Sequence, residues 1–200
     1  MINVEDERYH VAEVAIQDAF VLVMEEKELE KITVSDVIKK AGIVRSTFYN
    51  HYENIDYLIA AIEDKTVNEI FSIMATFNLK SDRDICKSYF LTICNYTKNN
   101  PFLRKSLRSS RANSILKKST IMFHSYVRQV TSKRYGLELN TGFNADKKEA
   151  DDFSYMIASV IGCTLGVLHK WTEDGFDVPA EEIAEILTVT YLNGAIGILK

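Results

Sequence analysis

The chain has 200 residues, 46% apolar and 26% charged, with a formal net charge of −4, a balance that allows a buried core and excludes both disorder beyond the ends and a polycation that coats nucleic acid indiscriminately. Its three cysteines are odd in number and sit in apolar helical patterns, which excludes a disulfide framework. The first residues lack the basic start and apolar run of a secretion signal, and no stretch approaches the ~18 to 20 apolar residues that span a bilayer, so a cytoplasmic protein without membrane contact is expected.

Apolar residues recur at three- and four-residue steps from Tyr9 through Val11, Ile16, Phe20, Leu22 and Val23, and predict a first helix from about Asp6 to Lys27 with one wide buried face. A helix start follows at Thr33. Its hydroxyl can cap the amide of Asp36, whose carboxylate reaches back, while Ile32 and Val37 are spaced to pack as a hydrophobic staple. The second helix is read as Val34 to Ala41 and ends at Gly42, where a left-handed residue is favoured. Phe48 and Tyr52, four apart, mark the buried side of a third helix from Arg45 to His51, with Ile43 beneath the turn. A fourth helix, about Ile55 to Phe77, connects these three to the remainder. Further helices are expected at Asp82 to Lys98, Pro101 to Ser109, Asn113 to Tyr135, Lys147 to Glu173 and Pro179 to Ile198, with both prolines in first turns. The segment from Gly136 to Asp146 reads as the one long loop. No stretch alternates like a strand, so the fold class is all-α with nine helices.

Two short helices joined by a glycine turn, the second polar on its outer face, suit a major groove. Arg45 can pair bidentately with guanine, Asn50 with adenine, and Ser46 and Thr47 can donate, accept or cover a thymine methyl. Tyr49 and His51 suit phosphates, as do the hydroxyls of Thr33 and Ser35 and the ammonium groups of Lys39 and Lys40 on the preceding helix. Residues 1–60 hold twelve acidic residues against six Lys or Arg, yet Val37 to Tyr52 carries three cations and no acid. Site-specific binding with weak nonspecific affinity is therefore expected.

The run from Ile32 to Tyr52, with its Ala41-Gly42 turn and its Thr47-Phe48-Tyr49 register, resembles the DNA-binding signature of the TetR family of bacterial regulators over roughly residues 8–62. The resemblance implies a nine-helix homodimer, with a helix-turn-helix domain at 1–54 and an effector-binding and dimerisation domain at 55–200. It further implies a palindromic double-stranded operator, commonly repressed, and an unidentified small-molecule or protein effector. Val44 and Ile55 depart from the family pattern, which has a capping Ser and a phosphate-binding Lys at those places. The C-terminal half is also similar to the branch associated with dihydroxyacetone kinase regulation.

The helix from Lys147 to Glu173 is apolar on most sides, more than one core can hide, and Gly162 and Gly166 permit close helix approach. Phe153, Ile157, Val160, Gly162, Gly166, Leu187 and Tyr191 are thus candidates for the dimer interface. Tyr89, Phe90, Phe102, Phe123, Tyr126 and Tyr155 are candidates for an effector pocket. From Ile85 to Leu137 there are no acids and eleven Lys or Arg, which read as a basic face balancing the acidic N-terminal region, or as a site for an anion, a partner or flanking DNA. No catalytic constellation, metal-ligand spacing or cofactor motif is found, so no enzyme, metal or cofactor is expected. The alternative reading is a helix-turn-helix protein that acts mainly through a protein partner, with weak or no DNA binding.

Overall fold

The computed structural model describes residues 4–77, 82–135 and 147–195; of residues 4–6, 126–135, 147–153 and 195 it describes the backbone alone. Among the described residues there are nine α-helices and no strand: α1 (Val4–Glu26), α2 (Val34–Ala41), α3 (Arg45–His51), α4 (Ile55–Thr76), α5 (Arg83–Asn99), α6 (Pro101–Leu107), α7 (Ala112–Tyr135), α8 (Lys147–Glu173) and α9 (Ala180–Thr190). The expected loop from Gly136 to Asp146 lies outside the described residues. So do the side chains of Tyr126 and Phe153.

Local chemistry accounts for the starts of α2, α4, α5 and α6. Asn54 caps α4 by accepting from the amides of Asp56 and Tyr57, and Asp82 caps α5 through the amides of Asp84 and Ile85. Asn100 ends α5 and caps α6, whose first residue is Pro101, so one residue turns the chain. The last helix is shorter than its periodicity predicts. After Thr190 the chain continues as a π turn over Tyr191–Ala195.

On α1 the buried stripe narrows to Ile16, Ala19, Phe20, Val23 and Met24, the spacing of a single helix face, while Tyr9, Val11 and Leu22 are exposed. That stripe joins one continuous core that takes in Phe48 from α3, Leu58 from α4, Phe90 from α5, Phe102 from α6, Ile115 from α7, Trp171 from α8 and Leu187 from α9. Between α8 and α9 both Gly175 and Phe176 have left-handed backbones, at φ 71° and 66°. A bulky residue there is strained. Phe176 is held by an edge-on contact with Trp171 at 4.7 Å, and the indole N–H donates to the Val178 carbonyl at 2.7 Å.

Four basic residues of the acid-free stretch, Lys87, Lys105, Arg111 and Lys118, tie helices together. Lys105 of α6 donates to the carbonyls of Met24 and Lys27 at the C-terminal end of α1, the latter at 2.8 Å, where the helix dipole favours a cation. Arg111 and Lys118 meet the carboxylates of Asp56, Glu63 and Asp64 on α4, and Lys87 meets Glu185 of α9 at 3.1 Å.

Candidate nucleic-acid interface

The helix-turn-helix is built from short-range signals. Thr33 and Asp36 form the reciprocal cap, the Asp36 amide donating to the threonine hydroxyl at 3.3 Å and the Thr33 amide to the carboxylate at 3.0 Å. Ile32 and Val37 are both buried beside it. Lys27, just beyond α1, donates to the same carboxylate, and these bonds, the lysine's first, hold the pKa of the Asp36 carboxyl down to about 2. Gly42 closes α2 in the left-handed region at φ 67°, and its amide and that of Ile43 both reach the Ile38 carbonyl.

The N-terminus of α3 has no side-chain cap: Val44 stands there 66% exposed, and only its carbonyl serves, accepting from the Thr47 amide at 3.0 Å. Phe48 and Tyr52 are buried and fix the roll of the helix, so Arg45, Ser46, Tyr49 and Asn50 face outward and Thr47 lies half-buried at the flank. Arg45 lies along Tyr49 one turn on, its guanidinium 5.7 Å from the ring centroid and 3.4 Å from the phenol oxygen. The pair thus presents one flat cationic surface.

His51 is placed differently from the others. Its ring is 3.9 Å from that of Tyr9 of α1, centroid to centroid, and its Nδ1 is buried without a hydrogen bond. Burial pushes its pKa below the usual histidine value, so the imidazole is neutral at pH 7. Tyr52 is tied inward as well: Gln17 donates to its hydroxyl at 3.0 Å, the hydroxyl donates to Glu13 at 3.3 Å, and Lys65 of α4 donates to Gln17 at 3.3 Å.

On α2, Lys39 is exposed and makes no ion pair among the described residues, whereas Lys40 donates to Glu26 at 2.7 Å. The Thr33 hydroxyl is already bonded to the Asp36 carboxylate at 2.8 Å. Sequence reasoning passed over Tyr57, in the first turn of α4 and 57% exposed. An aromatic left outside a buried stripe was the only signal available for it.

In the control half, Tyr89, Phe90 and Phe123 line a cavity of about 60 Å³ between α4, α5, α7 and α8. Phe102 lies instead against Phe20 of α1, ring centroids 6.4 Å apart, and Tyr155 is 74% exposed. Of the candidate dimer residues, Ile157 and Leu187 are buried inside the protomer, and Val160 and Tyr191 line the cavity wall. A Cβ added at Gly162 or Gly166 would meet nothing within 4 Å. Among the described residues no cluster of His, Cys, Asp or Glu is arranged to hold a metal, and no helix is long and apolar enough to cross a membrane.

The fold and this geometry agree with what the chain is similar to. Residues 84–193 match a TetR family model described as "Transcriptional regulator C-terminal region". A 57-residue stretch is 40% identical to the "Uncharacterized HTH-type transcriptional regulator YxbF" of Bacillus subtilis (strain 168), covering 28% of this chain and 15% of that protein. A 49-residue stretch is 41% identical to YvdT of the same organism, covering 24% of this chain and 25% of the relative. This chain therefore matches only a fraction of the length of either. The solved TetR transcriptional regulator of Streptococcus agalactiae 2603V superposes with a TM-score of 0.62 at 22% identity, over 94% of this chain and 97% of that one. The match through α5 to α9, joined to a capped helix-turn-helix ahead of it, makes this chain a member of the TetR family of transcriptional regulators.

Proposed function

We propose that the protein is a homodimeric, sequence-specific DNA-binding repressor, with residues 1–54 reading a palindromic operator and residues 55–200 dimerising and holding an effector. The observation that carries this reading is the outer face of α3, where two buried aromatics turn Arg45, Ser46, Tyr49 and Asn50 toward solvent together. Arg45 reads guanine, Asn50 adenine, and Ser46 and Thr47 the neighbouring edges. Phosphates are met by Tyr49, by the free edge of His51, by Lys39 and by Tyr57. Thr33 adds a contact at the N-terminus of α2, and Lys40 adds one when it exchanges Glu26 for a phosphate oxygen.

A face for the second subunit runs along α8 through Tyr155, Gly162 and Gly166, four or seven residues apart, and continues on α9 through Ile186 and Val189, which are 50% and 37% exposed. Ile157 and Leu187 support it from inside. To read a palindrome, a dimer built there has to present its two copies of α3 to half-sites about 34 Å apart.

Selection from random duplexes tests the reading: a palindromic consensus is expected, and Arg45→Ala should weaken binding to it by about tenfold or more and relax one position of each half-site. No consensus at low salt would favour instead a helix-turn-helix protein working through a protein partner, which the acid-rich first sixty residues and the Glu26–Lys40 pair would suit.

A further inference from the structure

We infer that the effector of this protein is an uncharged, largely apolar molecule carrying a hydroxyl or carbonyl group, held in the cavity between α4, α5, α7 and α8; the inference rests on the effector-controlled reading above and gives that site its ligand chemistry.

Among the described residues the cavity wall contains no charged side chain. It is formed by Ile70, Phe71 and Met74 of α4, by aromatic residues of α5 and by aliphatic residues of α8, with Ser119, Thr164 and two tyrosines as its polar groups. A carboxylate or phosphate inside it would lose its water without gaining a cation, a cost that drives such groups out of apolar sites. The nearest cation in sequence, Lys118, is already bound to Glu63 and Asp64 at 3.1 and 2.7 Å.

Two hydroxyls supply orientation. Ser119 is 5% exposed, lies on the wall and has no hydrogen-bond partner among the described residues. Thr164 donates to the Val160 carbonyl at 2.9 Å and keeps its lone pairs for a donor. A ligand hydroxyl can satisfy either, and a carbonyl can accept from Ser119.

At about 60 Å³ the cavity is smaller than the ~150 Å³ that admits benzene, so such a ligand enters by moving side chains. Met74 is soft and unbranched, and the Phe71 and Phe123 rings meet edge-on with centroids 6.3 Å apart, a contact that can open without breaking a hydrogen bond.

The test uses the full chain and two probes of equal length, 1-octanol and octanoate at pH 8, in calorimetric titration and thermal unfolding. Saturable binding and a raised Tm are expected with 1-octanol, and none with octanoate at the same concentration. Ser119→Ala should weaken 1-octanol binding about threefold to tenfold. Ile161→Trp, which fills the cavity from α8, should abolish it, with circular dichroism checking the fold. Octanoate binding as tightly as 1-octanol would overturn the inference by placing the head group outside the cavity. Failure of 1-octanol to bind saturably, or its unchanged binding to both variants, would overturn it too. Operator binding is measured separately on the ligand-free protein: its absence there would sink the DNA-binding reading while leaving the ligand result standing, and its presence without 1-octanol binding would sink the ligand class alone.

Discussion

Asp36 lies outside the proposed DNA contacts, yet its carboxylate caps α2, the helix proposed to cross the DNA backbone. An unfolded aspartate titrates near ~3.9, and in the folded chain Lys27 and Thr33 hold this one at about 2. The folded value lies below the unfolded one, so the stabilisation is complete above about pH 4 and is lost as the pH falls from there toward 2. Asp36→Ala should therefore shift the urea midpoint equally at pH 7 and pH 5, with the difference shrinking below pH 4; a difference constant down to pH 3 would show that the ion pair contributes nothing. Residue-scale signals of this kind were legible because both partners sit within one helical turn, as at Thr33 with Asp36, or within one residue, as at Gly42. The partner of Lys40 was not. Glu26 stands fourteen residues earlier and meets it only because α1 and α2 pack together, so counting charges made Lys40 a free cation when it is a shared one.

Between helices, a ladder joins α4 to Arg111 and α7 around a buried carboxylate. Glu63 is 1% exposed; its Oε2 accepts from the Ser114 hydroxyl at 2.8 Å and lies 3.1 Å from Lys118 Nζ, while Oε1 takes no hydrogen bond and lies 3.5 Å from Arg111. Removing one member of such a buried set leaves the others uncompensated, so Glu63→Gln should cost about 3 kcal/mol in chemical denaturation. A loss below about 1 kcal/mol would mean that water screens the ladder as it does a surface pair. The helices themselves were readable from their periodicity, and the ends of α2 from Thr33, Asp36 and Gly42, whereas the caps at Asn54, Asp82 and Asn100 emerged only with the structure. The ladder was not, because Glu63 looks like any solvated acid until α7 is laid beside it. The same holds for α8: a helix apolar on most sides has no unique inner face, and only packing separates buried Ile157 from exposed Tyr155.

At the scale of the whole molecule, α8 keeps two interior glycines where, among the described residues, an added Cβ would meet nothing within 4 Å. Each costs a helix roughly 1 kcal/mol relative to alanine, a price that a close-packed second subunit would offset. Gly166→Leu is accordingly expected to leave the circular dichroism spectrum native and to yield a monomer in analytical ultracentrifugation, whereas a dimer of unchanged affinity would move the interface elsewhere. The line of hydrogen bonds from Lys65 through Gln17 to Tyr52 has a different reach. It fastens the foot of the proposed reading helix to α1 and to the middle of α4, at residues outside the proposed DNA contacts, so a genetic screen for operator-blind alleles should recover changes at Gln17 and Lys65 among those at α3. Such alleles would be defective in aim and not in grip.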